Sequence, residues 1–394
     1  MPGSVIVAGA RTPIGKLSGA LASFSAMDLG GFAIAAALER AGVAPDAVDY
    51  VFMGQVLQAG QGQITARQAA TKAGIPMAVP ATTVNKVCLS GLNSIYLADL
   101  LIQAGEADVV VAGGMESMTK APHLLPDARA GYRLGDGTLV DSMMYDGLYC
   151  QFDHCAMGLG TEQYNKEAGV SREEQDALSA LSHERAAAAI KEGRLADEIT
   201  AVAVPQRKGD PVIVDTDEGV RPGTTAESLG ALKPAFDKSG TITAGNASQI
   251  SDGGAAVVVT SRAKAESLGV APLGEVVSYG QVAGPNASLL HQPSQAAVTA
   301  LDKVGKKPSD VALYEINEAF AAVGIASMRD LGIGDDVTNV NGGAIALGHP
   351  IGMSGTRLAL TILHELRRRG GGLGVACLCG GGGQGDALVV QTIG

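Results

Sequence analysis

The sequence predicts an α/β protein with a mostly parallel, buried sheet, built as two similar halves with a loop-rich segment set between them. Three observations lead there. Strand-like and helix-like runs alternate through the first third, the same pattern returns near the C-terminus, and the stretch from Lys120 to about Gly245 differs in texture from both.

The alternation begins with the apolar run SVIVAG. A small-residue helix is expected over Met27–Ala41, ended by Gly42, and VDYVFMGQV then reads as the next strand. The return of the pattern is the more informative feature. Residues 83–117 and 339–383 each carry Val-Asn, a short loop, Ser-Gly, a helix with apolar residues at helical spacing, a Gly-containing break and a strand that runs into glycines. Val84-Asn85 corresponds to Val340-Asn341, Ser90-Gly91 to Ser354-Gly355, and Val109–Gly114 to Val375–Gly380. Agreement across loop, helix and strand together indicates an internal duplication. It also predicts that the loops around Cys88 and His349, which hold equivalent places, lie near each other. Between the halves the chain is richer in polar residues, Pro and Asp/Gly turns. Its one strongly helical stretch, 171–192, opens on a capping box of Ser171 and Glu174. Such a segment inserted over a βα scaffold commonly carries binding.

Composition narrows the function classes. At 394 residues more than one packed unit is expected, and 46% hydrophobic against 18% charged residues excludes a mainly disordered chain. A net charge of −11 argues against a general nucleic-acid or anionic-membrane surface. The opening MPGSVIVAGARTPIGK lacks the charged and long apolar regions of a signal peptide, and no uncharged apolar run is long enough to span a bilayer. Five cysteines, an odd number, suggest cytoplasmic thiols rather than a disulfide framework.

The run VACLCGGGGQG, 375–385, raises the question of chemistry. Gly380, Gly382 and Gly385 satisfy G-x-G-x-x-G after a strand, but a dinucleotide loop must open a helix, and DALVVQTIG reads as a final strand. Cys150, His154, Cys155, Cys377 and Cys379 lack metal-ligand spacing, so no metal is expected. Cys377 and Cys379, two apart on a strand, share a face yet are held too far apart for an easy disulfide. What remains is a functional thiol at a strand's carboxyl end, with glycines presenting backbone N–H groups beside it. Cys88, just before a helix starting near Ser90, is expected to have its pKa lowered by the helix dipole and by a nearby imidazole such as His349.

At these residues the sequence resembles the thiolases, specifically the acetyl-CoA acetyltransferase type. The resemblance rests on NKVCLSGLNS at Cys88, NEAF at Asn317, NVNGGAIALGHPIGMSG at His349 and CLCGGGG at Cys379, with ARTPIGK, GGMESMTKAPH and AGNASQISDGGAA in agreement. It implies a five-layered α-β-α-β-α core, with an N-terminal half over 1–119 completed by about 246–270, an inserted loop domain over 120–245 that holds coenzyme A, and a C-terminal half over 271–394. By that resemblance Cys88 is the acyl-accepting nucleophile, His349 activates it and Cys379 is the acid/base. Asn317 is expected to orient a water that, with His349, stabilises a thioester oxyanion; the backbone N–H groups of Cys88 and Gly381 form a second oxyanion hole. Leu148, Met157, Arg221, Ser228, Phe236 and Ser248 match coenzyme A-binding positions, Arg221 serving the phosphate-bearing end. Coenzyme A and acyl-CoA enter as substrates, with no permanently bound cofactor, and the assembly is a dimer or tetramer of this chain.

The implied reaction interconverts two acetyl-CoA with acetoacetyl-CoA and free CoA. A 3-ketoacyl-CoA thiolase of longer acyl range is the alternative, since Ala156 stands where acetoacetyl-type members have histidine and SLLHQPSQ, 288–295, departs from their Gly-Pro-x-Pro-Ala. A ketoacyl synthase would carry histidine in place of Cys379, and a non-catalytic thiol or zinc module would carry bound metal.

Overall fold

The computed structural model describes residues 4–392. The outermost residues expected in the two halves, 1–3 and 393–394, lie outside it. We number the main elements β1 Val5–Arg11, α1 Ala26–Ala41, β2 Tyr50–Gly54, α2 Thr65–Lys72, β3 Ala81–Val84, α3 Ser90–Gln103, β4 Val109–Ser117, α4 Met157–Ala168, α5 Arg172–Lys191, β5 Ser251–Thr260, β6 Gly274–Ala283, α6 Gln292–Asp302, β7 Leu313–Ile316, α7 Ala321–Leu331, α8 Ser354–Arg368, β8 Leu373–Gly380 and β9 Gln384–Gln391. α1 fills the expected span. Ser25 caps its start, and Gly42 ends it at φ 62°, a left-handed conformation that glycine adopts at no steric cost.

The strands follow the order β7-β8-β9-β6-β1-β5-β4-β2-β3, with the two halves meeting at the short β1–β6 pairing. Each half repeats one plan: β2 and β4 are parallel neighbours as are β7 and β8, and β4–β5 and β8–β9 are antiparallel. The expectation of a mostly parallel sheet is therefore corrected. Among the described residues only the β2–β3, β2–β4 and β7–β8 strand pairings are parallel, because the remaining neighbours are not joined by a crossover helix within the sheet. In the C-terminal half β8 turns straight into β9 through Gly381–Gly383, where Gly382 and Gly383 have φ of 80° and 67°. In the N-terminal half the corresponding turn is replaced by the whole central segment. The chain leaves β4 at Ser117 and re-enters β5 at Ser251, with Ser117 paired directly to Asp252.

Layering follows from side-chain burial. The central core packs α3 residues Leu92 and Ile95 and α8 residues Leu358 and Leu363 between the facing sides of the two half-sheets. α1 and α2 cover the outer face of the N-terminal half, while α6 and the end of α7 cover that of the C-terminal half. This gives five layers. The repeated Ser-Gly pairs explain how the two central helices approach so closely. A Cβ on Gly355 would lie 2.4 Å from the Leu92 nitrogen, and one on Gly91 would lie 2.9 Å from the Gly352 oxygen.

In the central segment, α5 begins at the expected capping box, with Glu174 N–H donating to Ser171 and Ser171 N–H to Glu174. The rest combines α4 and short helical turns with loops pinned by three two-stranded ribbons. Fully buried Arg11, from β1, docks this segment by donating to Glu198 at 2.6 Å and to both carboxylate oxygens of Asp217 at 2.7 and 2.8 Å.

Candidate active site

Cys88 sits in the loop between β3 and α3. The residue before it, Val87, has φ 50°, a conformation costly for a β-branched side chain. Local hydrogen bonds hold it there: Val87 N–H donates to Asn85 Oδ1, Lys86 N–H to Ser90 Oγ, and Ser90 Oγ–H to the Val87 carbonyl at 2.6 Å. These bonds fix the backbone on both sides of Cys88.

The sulfur opens into a cavity of about 60 Å³ that His349, Cys379 and Gly381 also line. Leu148, Met157 and Ser248 reach the same cavity, from the central segment and the approach to β5. Backbone N–H groups of Cys88 itself and of Gly381 both point at the Cys88 sulfur. Burial nevertheless pushes this thiol up to about 12, with those two amides pulling the other way and the carboxyl of Glu116 adding to the rise. The lowering expected from the α3 dipole is corrected accordingly: loss of water around the sulfur outweighs the helix terminus. Cys379, 1% exposed, is also raised, by burial first and then by the neighbouring Cys88.

His349 is buried in the loop before α8. Its Nδ1 lies 2.6 Å from Ser354 Oγ, and that hydroxyl gives its own proton to the Pro350 carbonyl at 2.9 Å. The hydroxyl can therefore only accept from the ring, which puts the proton on Nδ1 and leaves Nε2 as the free base. Nε2 is 3.4 Å from Asn317 Nδ2. Asn317 Oδ1 is buried with no hydrogen-bond partner, the state of an atom that fits a water or a substrate oxygen's escort. Burial, followed by the charge of Arg357, lowers the imidazole to about 3. Because the charged form is the one disfavoured, His349 is expected to remain neutral and Nδ1-protonated from pH 5 to 8. Nitrogen-15 spectra of histidine-labelled protein, assigned with H349N, check this; a ring that titrates near 6.5 contradicts it.

The loop of His349 is held by a buried carboxylate that the sequence reading passed over. Glu116, at the end of β4, accepts from the N–H groups of Gly352 and Val56 at 3.0 Å and of Leu57 at 3.2 Å. Burial raises it to about 7 despite these donors. Ser354 was likewise visible only as half of a repeated Ser-Gly pair. Its contact with His349, five residues earlier, depends on how the loop folds back over the start of α8.

The remaining candidates divide. Phe236 is 40% exposed and meets Phe320, a cavity residue, edge to face at 6.3 Å. Arg221 and Ser228 are exposed in the central segment and do not line the cavity. The Ser228 hydroxyl is engaged within its own turn, donating to the Thr225 carbonyl at 2.7 Å. Cys377 packs in the outer core of the C-terminal half, and Cys150 pairs with Cys155 across a small hairpin. Among the described residues no group of His, Cys, Asp and Glu is arranged to hold a metal ion.

Two thiols, a neutral imidazole and converging amides in a small buried space are the groups that acyl transfer through sulfur requires. The thiolase N-terminal domain model matches residues 4–263 and the thiolase C-terminal domain model residues 270–392, so the chain belongs to the thiolase family, whose members are acyltransferases. Over 393 residues, and the whole of both chains, it is 58% identical to the probable acetyl-CoA acetyltransferase of Mycobacterium leprae. The acetyl-CoA acetyltransferase of Cupriavidus necator is 52% identical over 98% of each chain. The crystal structure of the Bacillus anthracis acetyl-CoA acetyltransferase superposes with a TM-score of 0.97 at 39% identity, covering 100% of this chain and 99% of that one.

Proposed function

We propose that this chain is an acetyl-CoA C-acetyltransferase, interconverting two acetyl-CoA with acetoacetyl-CoA and CoA. The observation that carries the reading is the convergence of Cys88, His349 and Cys379 on one cavity beside the Gly381 amide. At rest both the thiol and the imidazole are neutral. The nucleophile is therefore formed during attack: His349 Nε2 takes the Cys88 proton as sulfur closes on the thioester carbonyl. The developing oxyanion meets the amides of Cys88 and Gly381, each such donor being worth about 3 kcal/mol. Collapse expels CoA, which takes its proton from Cys379, and leaves acetyl-Cys88. In the second half-reaction the Cys379 thiolate removes a proton from the methyl carbon of a new acetyl-CoA. Its enolate oxygen is stabilised by protonated His349 Nε2 and a water held by Asn317. The carbanion then attacks the carbonyl of acetyl-Cys88, and the tetrahedral adduct collapses to acetoacetyl-CoA as the bond to the Cys88 sulfur breaks and that sulfur recovers its proton from His349 Nε2.

For the coenzyme, Met157, Leu148, Ser248 and Phe236 line the pantetheine path, while Arg221 pairs with phosphate at the exposed end of the central segment. No helix among the described residues is long and apolar enough to cross a membrane; all five cysteines are free thiols, which fits a reducing compartment such as the cytoplasm. Assembly with further copies of the chain is part of the same proposal and rests on the family resemblance. A longer acyl range is the second reading. It is favoured by a cavity of about 740 Å³ that adjoins the first at Val87, Gly147, Met157 and Gly381 and is walled by Tyr145 and Tyr149. Comparing turnover on acetoacetyl-CoA and on a long 3-ketoacyl-CoA separates the two.

The direct test is mass spectrometry after brief incubation with acetyl-CoA. One acetyl group is expected on the peptide containing Cys88 and none in C88S. Labelling elsewhere, or none in the wild type, overturns the mechanism.

A further inference from the structure

Three hundred residues apart, Lys86 and Asp386 form an ion pair that the reaction scheme does not use. Lys86 Nζ lies 2.8 and 3.0 Å from the two carboxylate oxygens of Asp386, whose side chain is fully buried. Tyr279, from β6, donates its hydroxyl to the same carboxylate and itself accepts from Asn93 on α3 at 3.3 Å. The Tyr279 ring stacks on Tyr96 of α3 at 4.1 Å and 6°. The Cys88 loop, α3 and the neighbouring strands β6 and β9 are thus tied to one buried carboxylate.

The placement of this tie is specific. Lys86 is two residues before Cys88, and Asp386 faces Leu378 across the β8–β9 ladder, one register step from the Cys379–Gly385 pair. On the far side of the two sulfurs the same segments touch again: Leu89 presses on Gly380 so closely that a Cβ there would lie 2.6 Å from its Cγ. The loop bearing Cys88 and the strand bearing Cys379 are fastened on both sides of the sulfur pair, by charge at Lys86–Asp386 and by contact at Leu89–Gly380.

We propose that Lys86, through Asp386 and Tyr279, is a positioning residue that sets the separation of the Cys88 and Cys379 sulfurs. Acyl transfer needs both at once, since one carries the acyl group while the other moves the proton of the incoming or leaving thiol or carbon. A buried ion pair is a poor source of net stability. Its value here is geometric, because a misplacement of about 1 Å at reacting atoms costs on the order of 10²-fold in rate. This inference rests on the acyl-transfer reading above.

The test is steady-state thiolysis of acetoacetyl-CoA by full-length K86M, K86R, D386N and the K86M/D386N double variant, with melting temperatures measured alongside. For K86M, kcat is expected to fall about 30- to 100-fold with KM changed less than about twofold, as a positioning loss requires. K86R, which can still reach the carboxylate, is expected to recover to within about threefold of the wild type. The double variant should be no slower than the slower single one, because the two side chains act as one unit. Should K86M not fold, D386N, which preserves shape and removes charge, decides on the same criteria. A folded K86M or D386N with more than half of the wild-type kcat overturns the proposal, as does a K86R as slow as K86M or losses that multiply in the double variant. Wild-type protein inactive on acetoacetyl-CoA would instead sink the acyl-transfer reading itself, so the two failures are distinguishable.

Discussion

C379A is expected to turn over about 10³-fold more slowly than the wild type in both directions, with acetyl-Cys88 still forming on incubation with acetyl-CoA. Cys379 is buried, and its thiol is held protonated by its surroundings, so it can supply a proton to departing CoA and reclaim one from the methyl carbon of the next acetyl-CoA. Alanine fills nearly the same space and removes only the acid and base. His349 cannot stand in, because its Nδ1 is committed to Ser354 and its Nε2 already carries the proton taken from Cys88. Stopped-flow thiolysis combined with mass spectrometry of the quenched enzyme separates the two halves of the reaction. Turnover within about tenfold of the wild type would remove Cys379 from proton transfer.

R11M is expected to cost about 3–5 kcal/mol of stability, the usual penalty for removing one partner of a buried charge cluster. Arg11 answers two carboxylates, Glu198 and Asp217, at ion-pair sites no more than 1% exposed to solvent. Methionine keeps the packing of the stem and leaves both acids without a counter-charge. Since Glu198 and Asp217 belong to the central segment and Arg11 to β1, undocking of that segment should precede loss of the sheet. The KM for CoA is then expected to rise at denaturant concentrations that leave far-ultraviolet dichroism intact. Guanidinium unfolding of R11M beside wild type checks the energy, and a loss below about 1 kcal/mol would reduce the cluster to the worth of an exposed pair.

Much of the architecture was legible because duplication leaves two copies to compare. Ser90-Gly91 and Ser354-Gly355 could be aligned by eye, and they turn out to be where two helices touch backbone to backbone. Strand direction was less legible. β4 and β5 are adjacent in space but separated by the whole central segment, and nothing local to either strand says which way its neighbour runs. The sign of the Cys88 shift failed for a similar reason. A helix start is visible in sequence, whereas the side chains that exclude water from the sulfur, Leu148 and Met157 among them, come from remote parts of the chain. Ser354 and Glu116 were missed because their importance lies in which backbone or ring atom they meet, a property of loop geometry rather than residue type. The coenzyme positions came from resemblance alone, and of these Arg221 and Ser228 stand on the surface where sequence pattern carries least information.

The pairing of Ser117 with Asp252 has an evolutionary corollary. Because the points of departure and return are already adjacent in the ladder, the span between them behaves as a cartridge whose size barely alters the closure penalty, which grows only logarithmically with chain length. Such a span can be lengthened, trimmed or re-sculpted while the sheet beneath it stays in register.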